Sequence, residues 1–272
     1  MALAGRILKP LVMITTSTGT VWPTEVRTLA IDIGGSGLKA SMLDAAGQMT
    51  ADRLRIDTPY PCPPETLLES LGELVRPLRD VHRASVGFPG LVRHGRVIEV
   101  PSLSRAAYSG DRDPDLALAW SEFDLGAALA QLLGVPTKVV NDADMQGCAV
   151  VQGHGLEFVM TLGTGVGTAL FNNGRLLPHL ELSHGPFRSG ETTDVALGNT
   201  ARRAIGNEKW AKRVRRSIEH FHEMLWFDHL YVGGGNAKQL NVADVGPKGQ
   251  LIPNSAGILG GVRIWDLHTE DS

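Results

Sequence analysis

The 272-residue sequence predicts an α/β fold of two similar lobes with a ligand cleft between them. Three observations carry this. Glycine is in surplus, with 32 residues against about 19 at average usage, and no G-x-y period points to collagen. Much of the surplus falls in clusters at 34–37, 87–90, 163–167, 233–235 and 257–261, mostly at the ends of apolar runs. The two halves also repeat one arrangement, a glycine-containing turn between two strands with helices afterwards, and the halves meet near residue 140.

In chain order, residues 1–26 read as a loosely ordered extension, 27–140 as a first α/β lobe and 141–272 as a second, whose last helix packs back on the first. Thr28–Ile33 and Leu38–Leu43 are strands joined by Gly34-Gly35-Ser36-Gly37, and a third strand is expected near Met49–Ile56. Asp57 to Pro64 is a proline-rich loop. Leu67, Leu68, Leu71, Leu74, Val75 and Leu78 recur at helical spacing until Pro77 interrupts. Ala84–Phe88 and Arg96–Val100 read as strands. Asp124 is placed to cap a helix through Leu125, Leu129, Leu132 and Leu133, stopped by Gly134 and Pro136. The pattern restarts with a short strand at Thr137–Val140. Phe158–Leu162 and Thr168–Phe171 flank a glycine turn, and Asn172-Asn173-Gly174 turns into Arg175–Leu177. A long helix over Glu208–Trp226, a strand at His229–Val232 and a last helix from Ser255 to Trp265 complete the chain.

Charged residues make up 20% and the formal net charge is −3, which speaks against a disordered chain and against general nucleic-acid binding. Cys62 and Cys148 are too few for a disulfide framework, so a reducing cytoplasm is the expected setting. No run of about 18 apolar residues suggests a membrane span. The apolar start is broken by Arg6, Lys9 and Pro10, unlike a secretory signal.

The sharpest motif is Asp32-Ile33-Gly34-Gly35-Ser36-Gly37-Leu38-Lys39. Glycines between two strands let backbone N–H groups point into one concavity that binds phosphate oxygens, and an Asp at the strand end can hold magnesium, directly or through water. An ordinary glycine hairpin is the alternative. Leu162-Gly163-Thr164-Gly165-Val166-Gly167 repeats the theme, and lacks both the Rossmann spacing and the Walker A ending. Gly233-Gly234-Gly235 follows a strand, where bare backbone suits either a nucleotide or close packing. Asn141-Asp142-Ala143-Asp144 follows a short strand; Asp142 can serve as a base toward a hydroxyl or cap a helix. Glu181 and His184 offer an acceptor and a donor/acceptor suited to sugar hydroxyls, with Glu191 shortly after, although a surface loop also fits. Residues 202–216 hold seven basic side chains against Glu208, either a track for a polyanion or a solvated helix face. The histidines show no metal spacing.

Together these segments, with Gly87-Phe88-Pro89-Gly90 and Lys209-Trp210-Ala211-Lys212, resemble in order the ROK family of bacterial sugar kinases and regulators, and within it the polyphosphate glucokinases, over about residues 27–266. The resemblance implies a two-lobed actin/hexokinase-like ATPase fold. It implies Asp142 as catalytic base, and Asn141, Glu181 and His184 with Glu191 and Gly90 on the sugar side. Asp32, Gly34, Gly35, Ser36, Gly37, Lys39, Gly163, Thr164, Gly165, Gly167, Gly233, Gly234 and Gly235 would then attend the phosphate or nucleotide, with Mg2+ at Asp32. The implied reaction is transfer of a phosphoryl group from polyphosphate or ATP to the 6-hydroxyl of glucose or a close hexose; a strictly ATP-dependent hexokinase is the alternative. A sugar-responsive regulator would need a DNA-binding domain that 26 residues cannot supply. The family's cysteine-rich zinc motif is absent, so no structural zinc is expected, and relatives suggest a homodimer. Two departures stand out: Gly185-Pro186-Phe187 after His184, and Ser102 where many relatives carry a sugar-contacting Asn.

Overall fold

The computed structural model describes residues 22–188, 190–253 and 256–267. Strands β1 (Thr28–Gly34), β2 (Gly37–Leu43), β3 (Leu54–Ile56), β4 (Arg83–Phe88) and β7 (Thr137–Asn141) form one sheet in the order β3-β2-β1-β4-β7. Between them lie α1 (Pro64–Val75), the hairpin β5 (Leu91–Arg93) and β6 (Arg96–Glu99), α2 (Pro114–Trp120) and α3 (Leu125–Leu133). Helix α4 (Asp142–Val150) leads to a second sheet, ordered β10-β9-β8-β13-β14, from β8 (Leu156–Leu162), β9 (Val166–Asn172), β10 (Arg175–Leu176), β13 (His229–Gly233) and β14 (Gly249–Leu251). The small hairpin β11 (Pro186–Arg188) and β12 (Glu191–Thr192), then α5 (Thr193–Leu197), α6 (Asn199–Ile205) and α7 (Asn207–Leu225), precede β13; α8 (Val242–Val245) precedes β14, and α9 (Ala256–Arg263) follows it.

Both sheets have the same plan. An antiparallel hairpin (β1–β2, β8–β9) carries a short antiparallel strand on one edge and two parallel strands on the other. No period in the sequence shows this, because the equivalence lies in strand order. The expected third strand over Met49–Ile56 shrinks to Leu54–Ile56, with Met49 held by one bridge to Leu43. Asp44 draws the N–H groups of Ala46 and Gln48 onto its side chain, so the chain turns before it can pair.

Alternation positions the site. Leu29, Ile31 and Ile33 on β1 and Leu38 and Ala40 on β2 enter a core shared with Leu67, Leu71 and Leu74 of α1 and Leu125 and Leu129 of α3. Their neighbours Ala30, Asp32, Lys39 and Ser41 therefore face the other way. Capping agrees with the sequence: Asp124 accepts from Ala127 N–H at 3.0 Å, and Gly134 ends α3 at φ 68°. In the second core, Trp210, Val214, Ile218 and Phe221 of α7 pack on Phe158, Met160 and Leu162 of β8. Helix α7 spans Asn207–Leu225, and Trp226 closes it in the left-handed conformation.

Helices α4 and α9 pack on one another between the sheets, α9 also touching β1 and β4, and α4 touching β8 and β9. Of the expected 1–26 extension only 22–26 are described; Val26 is buried there and Trp22 meets Trp265 edge-on at 5.4 Å. The Arg83 guanidinium lies 5.3 Å from each of these two indole rings. Residue 255, the expected start of the last helix, lies outside the described residues. Cys62 and Cys148 are buried and unpaired, and burial pushes both thiols up to about 12. Among the described residues no helix is long and apolar enough to cross a membrane.

The α4–α9 contact depends on bare backbone, because a Cβ on Gly260 would collide with the Met145 carbonyl. Gly260→Ala is therefore expected to destabilise the protein by about 1–3 kcal/mol, read by urea denaturation; an unchanged midpoint would contradict this packing.

Candidate active site

A cleft of about 930 Å³ runs between the sheets and is lined from both. The β1–β2 turn supplies Gly34, Gly35 and Ser36, and the β8–β9 turn supplies Gly163, Thr164 and Gly165. Gly90, Ser102, Asn141, Glu181 and His184 line the cleft as well, with Ser102 next to Gly35. Asp142, at the start of α4, also lines the cleft.

Strand β7 ends at Asn141, whose side chain does two jobs. Its oxygen accepts from Ala143 N–H at 2.8 Å and caps α4, while its amide donates to the Gly90 carbonyl at 3.0 Å. The cap is thus Asn141 rather than Asp142, and Asp142 lines the cleft. Gly167 leaves room for the start of α4: a Cβ there would press on Ala143 and stand 3.9 Å from Asp142 Oδ1. Burial pushes the Asp142 carboxyl up to about 6, and the negative charge of Asp32 adds to the rise.

The turns are shaped by side chains the sequence analysis did not single out. Asp194 accepts from Val166 N–H at 2.7 Å, and a Cβ on Gly165 would run into its carboxylate. Tyr60 donates its hydroxyl to the Gly35 carbonyl at 2.7 Å, with the Ser102 carbonyl also within reach at 3.1 Å. Thr200, Gln146, Arg53, Arg105 and Tyr108 line the cleft as well.

Asp32 faces the cleft with Lys39 Nζ at 2.7 Å from Oδ2. An exposed carboxylate beside the bare backbone of the β1–β2 turn fits the needs of magnesium, which keeps most of its waters and takes one or two carboxylates plus phosphate oxygens. Among the described residues no group of three or more His, Cys, Asp or Glu could hold a metal ion.

Three expected residues do not line the cleft. Gly37 is bare because Arg55 and the Ile56 carbonyl of β3 crowd it. Gly233 is bare because the Ile252 side chain packs there, whereas Gly234 and Gly235 reach the cleft. Glu191 is held by Arg188 at 2.6 Å in the β11–β12 hairpin. The basic segment 202–216 also stays off the cleft lining, and much of it is occupied: Arg202 by Asn199 and Asn207, Lys212 by Glu208, Arg213 by the Ala196 carbonyl and Arg215 by Asp244.

His179 is a functional candidate that the sequence left unmarked. It is buried, with Nδ1 3.0 Å from Asp144 Oδ1 and Nε2 3.6 Å from Glu181 Oε1. Glu181 Oε2 in turn lies 3.7 Å from His184 Nε2.

The chain is 29% identical over 251 residues to a polyphosphate glucokinase of Mycobacterium tuberculosis, covering 87% of this chain and 90% of that one. The crystal structure of an inorganic polyphosphate/ATP-glucomannokinase from Arthrobacter sp. strain KM superposes with a TM-score of 0.72 at 28% identity, over 89% of this chain and 98% of that one. A ROK family glucokinase from Streptomyces griseus shares the fold, with a TM-score of 0.67 at 17% identity over 88% and 98% of the two chains. Fold, cleft and relatives together define a sugar kinase with the actin/hexokinase-like architecture. The model of the ROK family matches residues 28–181, and the chain belongs to that family.

The raised Asp142 carboxyl has a consequence for stability. Its folded-state value of about 6 lies above the usual 3.8, so the folded state binds the extra proton and loses stability as pH rises from 4 through 6. Asp142→Asn should be more stable than the parent at pH 7 by about 1–3 kcal/mol, with the gap closing toward pH 4, as measured by denaturant titration at both values.

Proposed function

We propose that this sugar kinase transfers a phosphoryl group from polyphosphate or ATP to the 6-hydroxyl of glucose, with Asp142 as general base. The observation that carries the reading is the position of Asp142 in one cleft with the Asn141, Glu181 and His184 group and with two bare turns, one from each sheet. The sugar's 6-oxygen attacks the terminal phosphorus. The bond from phosphorus to the bridging oxygen breaks, and that oxygen keeps the electron pair in the shortened polyphosphate or ADP. The hydroxyl proton passes to Asp142, whose raised basicity suits the task near neutral pH.

The cleft's own groups would do the rest. N–H groups of the two turns would stabilise the equatorial oxygens of the phosphoryl group in flight. Asp32 would hold Mg2+, which when bound neutralises phosphate charge. On the sugar side Glu181 would accept hydroxyl protons, held below the usual carboxylate range chiefly by its His179 neighbour.

Polyphosphate is favoured as donor by the likeness to the Mycobacterium tuberculosis and Arthrobacter proteins. The cations that line the cleft add support. They are Lys39, Arg53 and Arg105 rather than the 202–216 segment, and Arg53 makes no ion pair among the described residues. ATP is the second reading, favoured by Gly235, which lines the cleft with open space where its side chain would be.

A coupled assay for glucose 6-phosphate, with magnesium and either polyphosphate or ATP, tests the donor; no product from polyphosphate would leave ATP. The acid limb of kcat/KM should fall with an apparent pKa near 6. Asp142→Asn should lower kcat by about 100-fold or more while circular dichroism stays unchanged. Near-normal turnover would remove Asp142 from the mechanism.

A further inference from the structure

His179 lies outside every motif that points to the kinase reaction, yet it is among the most enclosed ionisable groups beside the cleft. Its side chain is 3% exposed, and that of Asp144 4%. The two side chains arrive from different places, Asp144 from the first turn of α4 and His179 from the segment between β10 and the short 3-10 turn at Leu182–His184. Both oxygens of Asp144 lie within 3.1 Å of His179 Nδ1, while Nε2 points at Glu181 Oε1. The carbonyl of the intervening Leu180 accepts from Thr168 Oγ1 at 2.9 Å, which ties this segment to β9.

The ring therefore has a carboxylate at each end. A neutral imidazole could donate to only one, leaving a bare nitrogen lone pair against a carboxylate in a buried place. An imidazolium donates to Asp144 and sets its second N–H 3.6 Å from Glu181 Oε1, a charge contact that a neutral ring would lack. Beyond these partners, the charged and titratable groups around this cluster include Asp142, Arg93 and Cys148 near Asp144, and His184 beside Glu181.

We propose that His179 is a positioning residue: a buried imidazolium that ties Glu181 to Asp144, and so fixes the sugar-facing carboxylate relative to the helix turn that carries Asp142. Burial alone would lower the basicity of this ring, but its hydrogen bond to Asp144 and the charges of Asp144 and Glu181 outweigh that and hold it up to about 10. Asp142 and Asp144 are two residues apart on α4, so they leave the helix on different sides. One faces the cleft and the other anchors the clamp, and a displacement of α4 is felt at the sugar's hydroxyl contacts as well as at the base.

The proposal rests on the reading of Glu181 as a sugar ligand, and the experiments separate the two. In the intact protein, NMR of 15N-labelled histidine should show one ring that stays doubly protonated at pH 8.5 and is missing from His179→Gln. A His179 that titrates near 6.5 would overturn the clamp, whatever Glu181 does. In kinetics, His179→Gln should raise the KM for glucose about 10-fold or more, with kcat within about threefold and the KM of the phosphoryl donor unchanged. Asp144→Asn, which keeps the shape but removes one anchor, should allow His179 to titrate closer to neutrality. Glu181→Gln serves as reference: if it leaves the sugar KM unchanged, the sugar-site reading fails. If it raises KM while His179→Gln does not, the clamp fails and the sugar site stands.

Discussion

The start of α4 is the constraint on which the rest depends. Strand β7 leaves the first sheet at Asn141, and the helix that begins there packs against β8 and β9 of the second. A helix N-terminus presents unpaired N–H groups, and burying it without a cap would be costly. Asn141 meets that need with one end of its amide, and with the other it fastens the Gly90 loop. Every cleft residue then takes its place relative to this turn. The β1–β2 hairpin is set by its register with β4 and β7, and the β8–β9 hairpin by the close approach of Gly167 to Ala143.

Three carboxylates are gathered around this turn and put to different uses by their surroundings. Asp32 is exposed and paired with Lys39. Asp142 is desolvated and lies near a like charge, which makes it a better proton acceptor at neutral pH. Asp144 is buried against an imidazole and shapes rather than reacts. The sequence Asn-Asp-Ala-Asp does not distinguish its two acids; helical geometry does, by sending them to different neighbours.

Much of this was legible before the fold was known. Thr28–Ile33 reads as a strand with Asp32 near its end, and Asp124 and Gly134 bound their helix as their chemistry requires. Asp113-Pro114 carries an equally good start signal, for α2. Other features could not be read locally. His179 gains its meaning from Asp144, 35 residues earlier. Gly37 and Gly233 look like Gly34 and Gly234 in the sequence, yet the first pair is bare for neighbouring side chains and the second pair lines the cleft. The basic run at 202–216 shows its charge in the sequence but not its partners, and Asp244, the anion that engages Arg215, arrives from α8.

The packing of Trp22 and Trp265 against each other and against Arg83 bears on how the lobes can move. Segments from opposite ends of the chain are clasped to one strand of the first sheet. The second sheet, with its helices, is therefore looped out from the first, leaving through α4 and returning through α9. Two covalent crossings side by side define an axis, as two screws define the line of a hinge. Such crossings would confine any opening of the cleft to a swing about the α4–α9 pair. The bare backbone of Gly260 against Met145 would be the bearing on which that swing turns.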